Sequence, residues 1–260
     1  MSLTVLSFCF TSVFADADPD VLFSRARSAY ARQDYSETYT MLKQFVEQHG
    51  THEANRHLVP LLVESAVRTA QYDVAIRLFT LYKNNFPQSA FMPRMWYLHG
   101  YALSRQKKYT AAFTSFSHAL DRGLSSGLDT LVEKNVRLVC RYALSADEMT
   151  DLSKNETLHP RIKKVLAYHA IVKNEKGQRL AQAQSLANAF LDTYPDSRYH
   201  ADVKAILKRV KKKQTEQIHL GLLAPISGYH AEIGKHIVHG TQLAVDRHNA
   251  TQSPRINLVI

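Results

Sequence analysis

Apolar residues recur along most of this chain at intervals of three and four, the spacing that gathers them on one side of an α-helix. The pattern is sharpest over residues 95–120. There Trp96, Gly100 and Leu103 fall on one side of a first helix, and Ala112, Phe116 and Ala119 on one side of a second. Gly100 and Ala112 are small where two helix backbones have to meet, and Tyr109 falls in the bend between them. Tyr72, Ala75, Phe79 and Tyr82 reproduce the second half of the pattern, with Pro87 where the copy ends. Tyr35, Leu42 and Phe45 give a third copy, with Thr38 in place of alanine. Tyr35, Tyr72 and Tyr109 stand 37 residues apart at each step (72 − 35 and 109 − 72). Tandem helical hairpins are the expectation.

A large aromatic, a small residue, an aromatic at the turn and then Ala112-x3-Phe116-x2-Ala119 resembles the tetratricopeptide repeat (TPR), whose usual period is about 34. The longer spacing here implies slightly long helices or loops. Helices are predicted over 21–32 and 36–48, opened by Asp18-Pro19-Asp20, since helix N-termini favour oxygen acceptors and tolerate proline. His49-Gly50-Thr51 breaks the pattern. Helices over 55–69 and 72–84 follow, and the third hairpin closes at Arg122-Gly123. Beyond it the pattern predicts helices over 128–143, with Leu131, Val132, Asn135, Leu138 and Val139 near one face, over 146–152 capped by Ser145, over 160–173 and over 179–193. Phe190-x3-Tyr194-Pro195-Asp196-Ser197 echoes Tyr82-x3-Phe86-Pro87-Gln88-Ser89, a helix stop followed by the cap of the next helix. The array therefore runs on through 199–210.

At Gln217 the pattern changes. Residues 218–224 read as a short apolar strand, Pro225-Ile226-Ser227-Gly228 as a turn, 231–249 as a helix with Ile233, Ile237, Leu243, Ala244 and Val245 near one face, and 256–260 as a buried strand. Strand, helix and strand make a βαβ unit with a parallel pair. One helix and two strands cannot cover both faces of a parallel sheet, so a larger sheet is expected. Leu220, Pro225, Ser227-Gly228, Ala231, Gly234, Gly240 and Leu243-Ala244-Val245-Asp246 resemble the opening of a type I periplasmic solute-binding domain, the branched-chain amino-acid receptor family, over about the last 45 residues. The resemblance implies that Ser227, Gly228 and Tyr229 help bind a ligand's polar groups beside a helix N-terminus. The order of parts is similar to the envelope lipoproteins that activate penicillin-binding proteins, and TPR arrays joined to transporter-linked receptors also exist. The expected fold is mainly α, a TPR-like right-handed helical solenoid followed by a partial α/β unit. The expected domains are a signal peptide over 1–17, helical repeats over 18–216 and the binding-domain fragment over 217–260.

Composition adds an address. No apolar run reaches the ~18 residues that suggest a membrane span. The longest, residues 3–14, is followed by Val13-Phe14-Ala15 and Ala15-Asp16-Ala17, with small residues where signal peptidase cuts. Met1-Ser2 carries no basic residue, which departs from the usual leader. Export to the periplasm or envelope of a Gram-negative-type bacterium follows. Leu6-Ser7-Phe8-Cys9 has phenylalanine where a lipoprotein box needs a small residue, which speaks against a lipid anchor; association with the outer membrane is the alternative. Cys140, the other cysteine, lies in an apolar pattern with Val136 and Leu144 and reads as a buried thiol. The net charge of +10 owes much to residues 208–213, a run that reads as a solvated helix end. An exported chain without a reader motif points away from nucleic acid.

The candidate chemistry is recognition, not catalysis. The first helix of each TPR hairpin lines the binding side of the array, and counting from the motif puts Arg68 and Arg105 there, again 37 apart, with Arg27, Tyr97 and Tyr101 nearby. Arginines beside tyrosines can clamp an acidic peptide or a chain-end carboxylate; the plainer reading makes them ordinary solvated residues. His236 and His239 share a helix face with His230 and His248 near, but no third ligand is evident and no metal site is expected. Asp147, Glu148 and Asp151 fall on a short polar helix. No phosphate loop, nucleophile elbow or metalloprotease motif occurs, so neither an enzyme nor a cofactor is expected. The expected function is an exported interaction scaffold whose partner is another envelope protein, by resemblance a peptidoglycan synthase. The alternative is the substrate-binding component of an amino-acid-type ABC transporter.

Overall fold

The computed structural model describes residues 18–50, 56–121, 126–215, 217–252 and 255–260; the expected signal peptide over 1–17, the Cys9 box, Thr51, Asn55, Arg122-Gly123 and Pro254 lie outside them. The described residues form α1 (Pro19–Ala31), α2 (Tyr35–His49), α3 (Leu58–Arg68), α4 (Tyr72–Asn85), α5 (Met92–Arg105), α6 (Tyr109–Asp121), α7 (Ser126–Tyr142), α8 (Ala146–Ser153), α9 (Pro160–Lys176), α10 (Leu180–Thr193), α11 (His200–Thr215), β1 (Gln217–Gly221), α12 (Ala231–Thr251) and β2 (Arg255–Val259). The fold is mainly α. Consecutive helices pack in pairs, as in TPR proteins, and α1 with α3, α3 with α5 and α9 with α11 touch as well. The contacts divide the chain into two compact units, one up to Val132 and one from Glu133 onward.

Among the described residues, one turn recurs four times and gives the hairpins their shape. Gln33, Ala70, Lys107 and Gln178 adopt the left-handed conformation, with φ of 63°, 60°, 63° and 58°. The N–H of the following residue then reaches back to a carbonyl five positions earlier: Asp34 to Ala29, Gln71 to Ala66, Lys108 to Leu103 and Arg179 to Asn174. These bonds satisfy carbonyls that a helix end leaves open. Tyr35, Tyr72 and Tyr109 each open the helix that follows, in the same local setting. Leu180 takes that place after the fourth turn, which is why a search for tyrosine passes over it.

In the first unit the core is the set of faces the periodicity marks. Ala75, Phe79, Tyr82, Ala112, Phe116 and Ala119 are buried, as is Thr38. A Cβ on Gly100 would lie 2.6 Å from Phe116 Cδ1 and 3.0 Å from the Ala112 carbonyl oxygen, so only glycine lets α5 and α6 approach this closely. Asp18 accepts a hydrogen bond from the Asp20 N–H at 2.9 Å, capping α1 as its residue types predict.

In the second unit Val136, Cys140 and Leu144 are buried, and burial pushes the Cys140 thiol up to about 12, leaving it protonated and inert. The face expected for this helix needs correction. Leu131, which precedes the second unit, and Leu138 are exposed, and burial runs Val132, Val136, Cys140 at strict four-residue steps. Ser145 and Glu148 form a reciprocal capping box on α8. The echo seen in the sequence is an echo of geometry. Phe86 and Tyr194 close α4 and α10 with φ, ψ of −133°, 55° and −130°, 60°, and Ser89 and Ser197 donate to their carbonyls at 3.1 Å. The correspondence extends over α3–α4–α5 and α9–α10–α11 at a constant offset of 108 residues (194 − 86, 178 − 70).

β1 and β2 pair in parallel, from Gln217↔Arg255 to Gly221↔Val259, as expected of a βαβ unit. The Asn249 side chain accepts from the Ile256 N–H and donates to its carbonyl, both at 2.8 Å, fixing the start of β2. Gly234 lets α12 meet the Pro225 carbonyl, where a Cβ would collide at 1.9 Å. The expected burial of β2 does not occur: Val259 and Ile260 are exposed, as are Ile233, Ile237 and Leu243 on α12, and of the apolar residues expected on its inner face Val245 is the buried one. A two-stranded sheet is too narrow to cover them.

Candidate functional site

Two neighbouring clefts lie among the first helices of the hairpins in the first unit. One, about 390 Å³, is lined by Arg68 and Val67 of α3, Tyr72 of α4, Tyr97, Leu98 and Tyr101 of α5, and Leu128 and Leu131 of α7. The other, about 540 Å³ and more apolar, is lined by Phe23, Arg27 and Tyr30 of α1, His57, Pro60 and Leu61, and Phe91. Glu64 and Arg94 belong to both.

The expected residues are brought together in part. Arg68, Tyr97 and Tyr101 share the first cleft, and Arg105 reaches its edge by donating from Nε to the Tyr72 hydroxyl at 3.3 Å. Arg27 lies in the second cleft, its guanidinium 5.5 Å from the centre of the Phe23 ring. The 37-residue period reappears as a ladder. Arg68 sits 5.3 Å over the ring of Tyr35, and Arg105 bonds Tyr72, so each arginine leans on the tyrosine that opens the second helix of the preceding hairpin. Such contacts hold a long side chain in place and lower the entropy lost when it engages a ligand.

Sequence reasoning missed Glu64, Arg94 and Tyr30. The Glu64 carboxylate is buried and accepts from Arg94 Nε at 2.8 Å and from a second nitrogen of the same guanidinium; Arg68 stands 3.7 Å away. Arg94 also points a nitrogen at the Tyr30 hydroxyl, 3.5 Å away. Burial, helped by Glu64, pushes the Tyr30 phenol up to about 12, so it stays a neutral hydrogen-bonding group. Burial works against the Arg94 charge, but the hydrogen bond and charge of Glu64 outweigh it and hold its pKa above the ordinary guanidinium value. A signal was available: Glu64 is the one charge in the apolar run of residues 58–67. Arg27, Arg68 and Arg94 line the clefts against one lining carboxylate, Glu64, and Arg105 stands at the edge, so cations stand beside aromatic faces, a set that suits carboxylates and apolar side chains.

Ser227, Gly228 and Tyr229 stand together on the loop between β1 and α12, Gly228 with φ of 80°, and all three are exposed and line neither cleft. Among the described residues no group of three or more His, Cys, Asp or Glu is arranged to hold a metal ion. Asp147 is bonded by Arg179 at 2.8 and 3.1 Å, and Glu148 by the Ser145 N–H, which holds its carboxyl below the usual range. These carboxylates serve helix packing and capping.

A family model described as YfiO, outer membrane lipoprotein, matches residues 15–217, most of the chain. This chain belongs to the YfiO family. No curated protein matches it. The family consists of envelope scaffolds with TPR-like helices, which agrees with the helical hairpins. Its description as lipoproteins runs against the expectation drawn from Phe8, and makes Cys9 the residue to examine for lipid. The match stops at Gln217, the first residue of β1, so family membership rests on the helices and leaves the resemblance of 217–260 to solute-binding domains without support of its own.

Proposed function

We propose that this YfiO-family chain is an envelope scaffold that holds an acidic or carboxylate-ended segment of another envelope protein in the cleft formed by Arg68, Tyr72, Tyr97, Tyr101 and Arg105. The observation that supports this reading is the Tyr35–Arg68 and Tyr72–Arg105 ladder, which presents two cations at repeat spacing beside aromatic walls. Arg27 extends the cationic surface toward the second cleft. In this reading residues 18–216 are the helical scaffold and 217–260 open a separate α/β domain. By resemblance of that segment the partner is a peptidoglycan synthase and the scaffold acts as its activator.

The test is capture from envelope extracts and titration with an acidic peptide. Arg68→Glu/Arg105→Glu is expected to weaken binding at least about 100-fold, because two charge-assisted contacts of roughly 1.5–3 kcal/mol each are replaced by repulsion. Unchanged affinity in the double variant would end the proposal. The second reading, a receptor for an amino-acid-like solute at Ser227, Gly228 and Tyr229, draws on the βαβ pairing and the close Gly234–Pro225 contact. Calorimetry with free amino acids distinguishes it: heat of binding lost in Ser227→Ala would favour the receptor over the scaffold.

A further inference from the structure

α11 carries Lys204, Lys208, Arg209, Lys211, Lys212 and Lys213 against one carboxylate, Asp202. Val203, Ile206 and Val210 are buried, which fixes the side that faces α9 and α10. Arg209 is engaged by Glu175 of α9, at 2.7 and 3.0 Å. Lys204, Lys208 and Lys211 follow at i, i+4 and i+7 and are exposed, so they form a stripe along one side of the helix; Asp202 falls on another side. The 108-residue offset gives this stripe a meaning. Its counterparts on α5 are Trp96, Gly100 and Leu103, and Gly100 is where α5 packs against α6. On α11 the same face has exposed lysines in place of the small and apolar residues. A polar end face is what a repeat array needs to stay soluble, but a mixture of charges would serve that purpose. A stripe of one sign does more.

We propose that the Lys204–Lys208–Lys211 stripe of α11 is an electrostatic docking surface for a membrane bearing anionic phospholipid headgroups. The charge complements phosphate. The stripe itself is lysine, and Leu207 beside it is half-buried, so contact stays at headgroup level. The family's outer-membrane lipoprotein description puts such a surface within reach of the chain. Juxtamembrane lysines gain roughly fivefold in partition per residue from an anionic surface, and salt weakens the effect.

The experiment uses the 260-residue chain carrying Cys9→Ser, which has no thiol for acylation there. Vesicles of phosphatidylcholine alone, and with about a third phosphatidylglycerol, are sedimented with the protein at low and at raised salt, and soluble poly-glutamate serves as a competitor. Binding is expected with phosphatidylglycerol only, reversed by salt, and weakened on the order of 100-fold in Lys204→Gln/Lys208→Gln/Lys211→Gln. Lys134→Gln/Lys154→Gln, two exposed lysines elsewhere in the second unit, is expected to bind like the parent chain, and helical circular dichroism of all variants to be unchanged. Equal binding to both vesicle types, or equal loss in the two sets of variants, would overturn the proposal. So would tighter binding to poly-glutamate than to the anionic vesicles, which would point to an acidic protein instead. The cleft variant Arg68→Glu/Arg105→Glu is expected to keep vesicle binding, which separates this surface from the proposed partner site.

Discussion

The α3–α4–α5 module of the first unit and the α9–α10–α11 module of the second have the same turns, the same helix stops and the same loop hydrogen bonds, yet they present different surfaces. Where the first unit has Phe91 partly exposed at the wall of an open cleft, the second has Tyr199, buried, stacked on Tyr168 at 4.2 Å and donating to Glu133 at 3.0 Å. Where the first has Val67 and Tyr101 lining a cleft, the second has Glu175 and Arg209 bonded across α9 and α11. The positions that shape the backbone are kept: Ala75 and Ala183, Tyr82 and Phe190, Ser89 and Ser197. The pairs that differ, Phe91 and Tyr199, Val67 and Glu175, Tyr101 and Arg209, leave the turn geometry the same in both modules. At these positions, therefore, one module is open and its copy is filled.

The comparison can be broken most sharply at positions 79 and 187. Phe79 is buried, its ring 4.0 Å from His99 and 4.6 Å from Trp96, whereas its counterpart Ala187 is already small. Phe79→Ala is expected to cost about 3–5 kcal/mol, read as a fall in the urea midpoint of the first unit. Ala187→Phe is expected to cost about 1–3 kcal/mol through overpacking. A loss under about 1 kcal/mol for Phe79→Ala would mean that this ring does not hold the module together.

Acid supplies the next test. Burial lowers His99 from 6.5 to about 4, with Lys83 adding to the shift, and its Nδ1 pairs with Ser115 Oγ at 2.9 Å. The unfolded chain takes up the proton first, so stability is full above pH 6.5 and falls as the pH drops toward 4, by up to about 3 kcal/mol. Thermal melts at pH 7 and pH 5 should show this fall in the parent chain and a flatter response in His99→Gln; equal slopes would remove His99 as the cause. His169 in the second unit is lowered to about 4 by burial and by the charges of Arg141, Arg137, Lys173 and Lys176.

The smallest effect should be the same in both modules. Ala70 and Gln178 hold the left-handed turn without being glycine. Ala70→Gly and Gln178→Gly are each expected to gain roughly 0.5–1 kcal/mol, measured by chemical denaturation. A gain in one and a loss in the other would show that the two turns are held by different contacts.

Much of the scaffold could be read from the chain. The 37-residue tyrosine spacing located three turns, Gly100 and Ala112 the close helix contact, and Phe190-x3-Tyr194 the copy of an earlier helix stop, because each reports a local steric or capping demand. Part of the cleft's lining was legible as well: counting from the repeat motif named Arg68, Tyr97 and Tyr101, which line it, and Arg105, which stands at its edge. Glu64, Arg94 and Tyr30 were not, since they come from α3, α5 and α1, and their meeting depends on how those helices stack. For the same reason Leu131 and Leu138 were assigned to a core they do not enter.

The sequence by itself determined the hairpins, their period, the parallel βαβ pairing and the basic end of α11, because helix periodicity, turn sterics and charge act over a few residues. Only the tertiary structure decided that a buried carboxylate holds one arginine and stands beside another, that each groove arginine leans on the tyrosine of the hairpin before it, and that one module is open where its copy is filled. Those outcomes depend on side chains far apart in the chain meeting across helices, and no local rule carries that information.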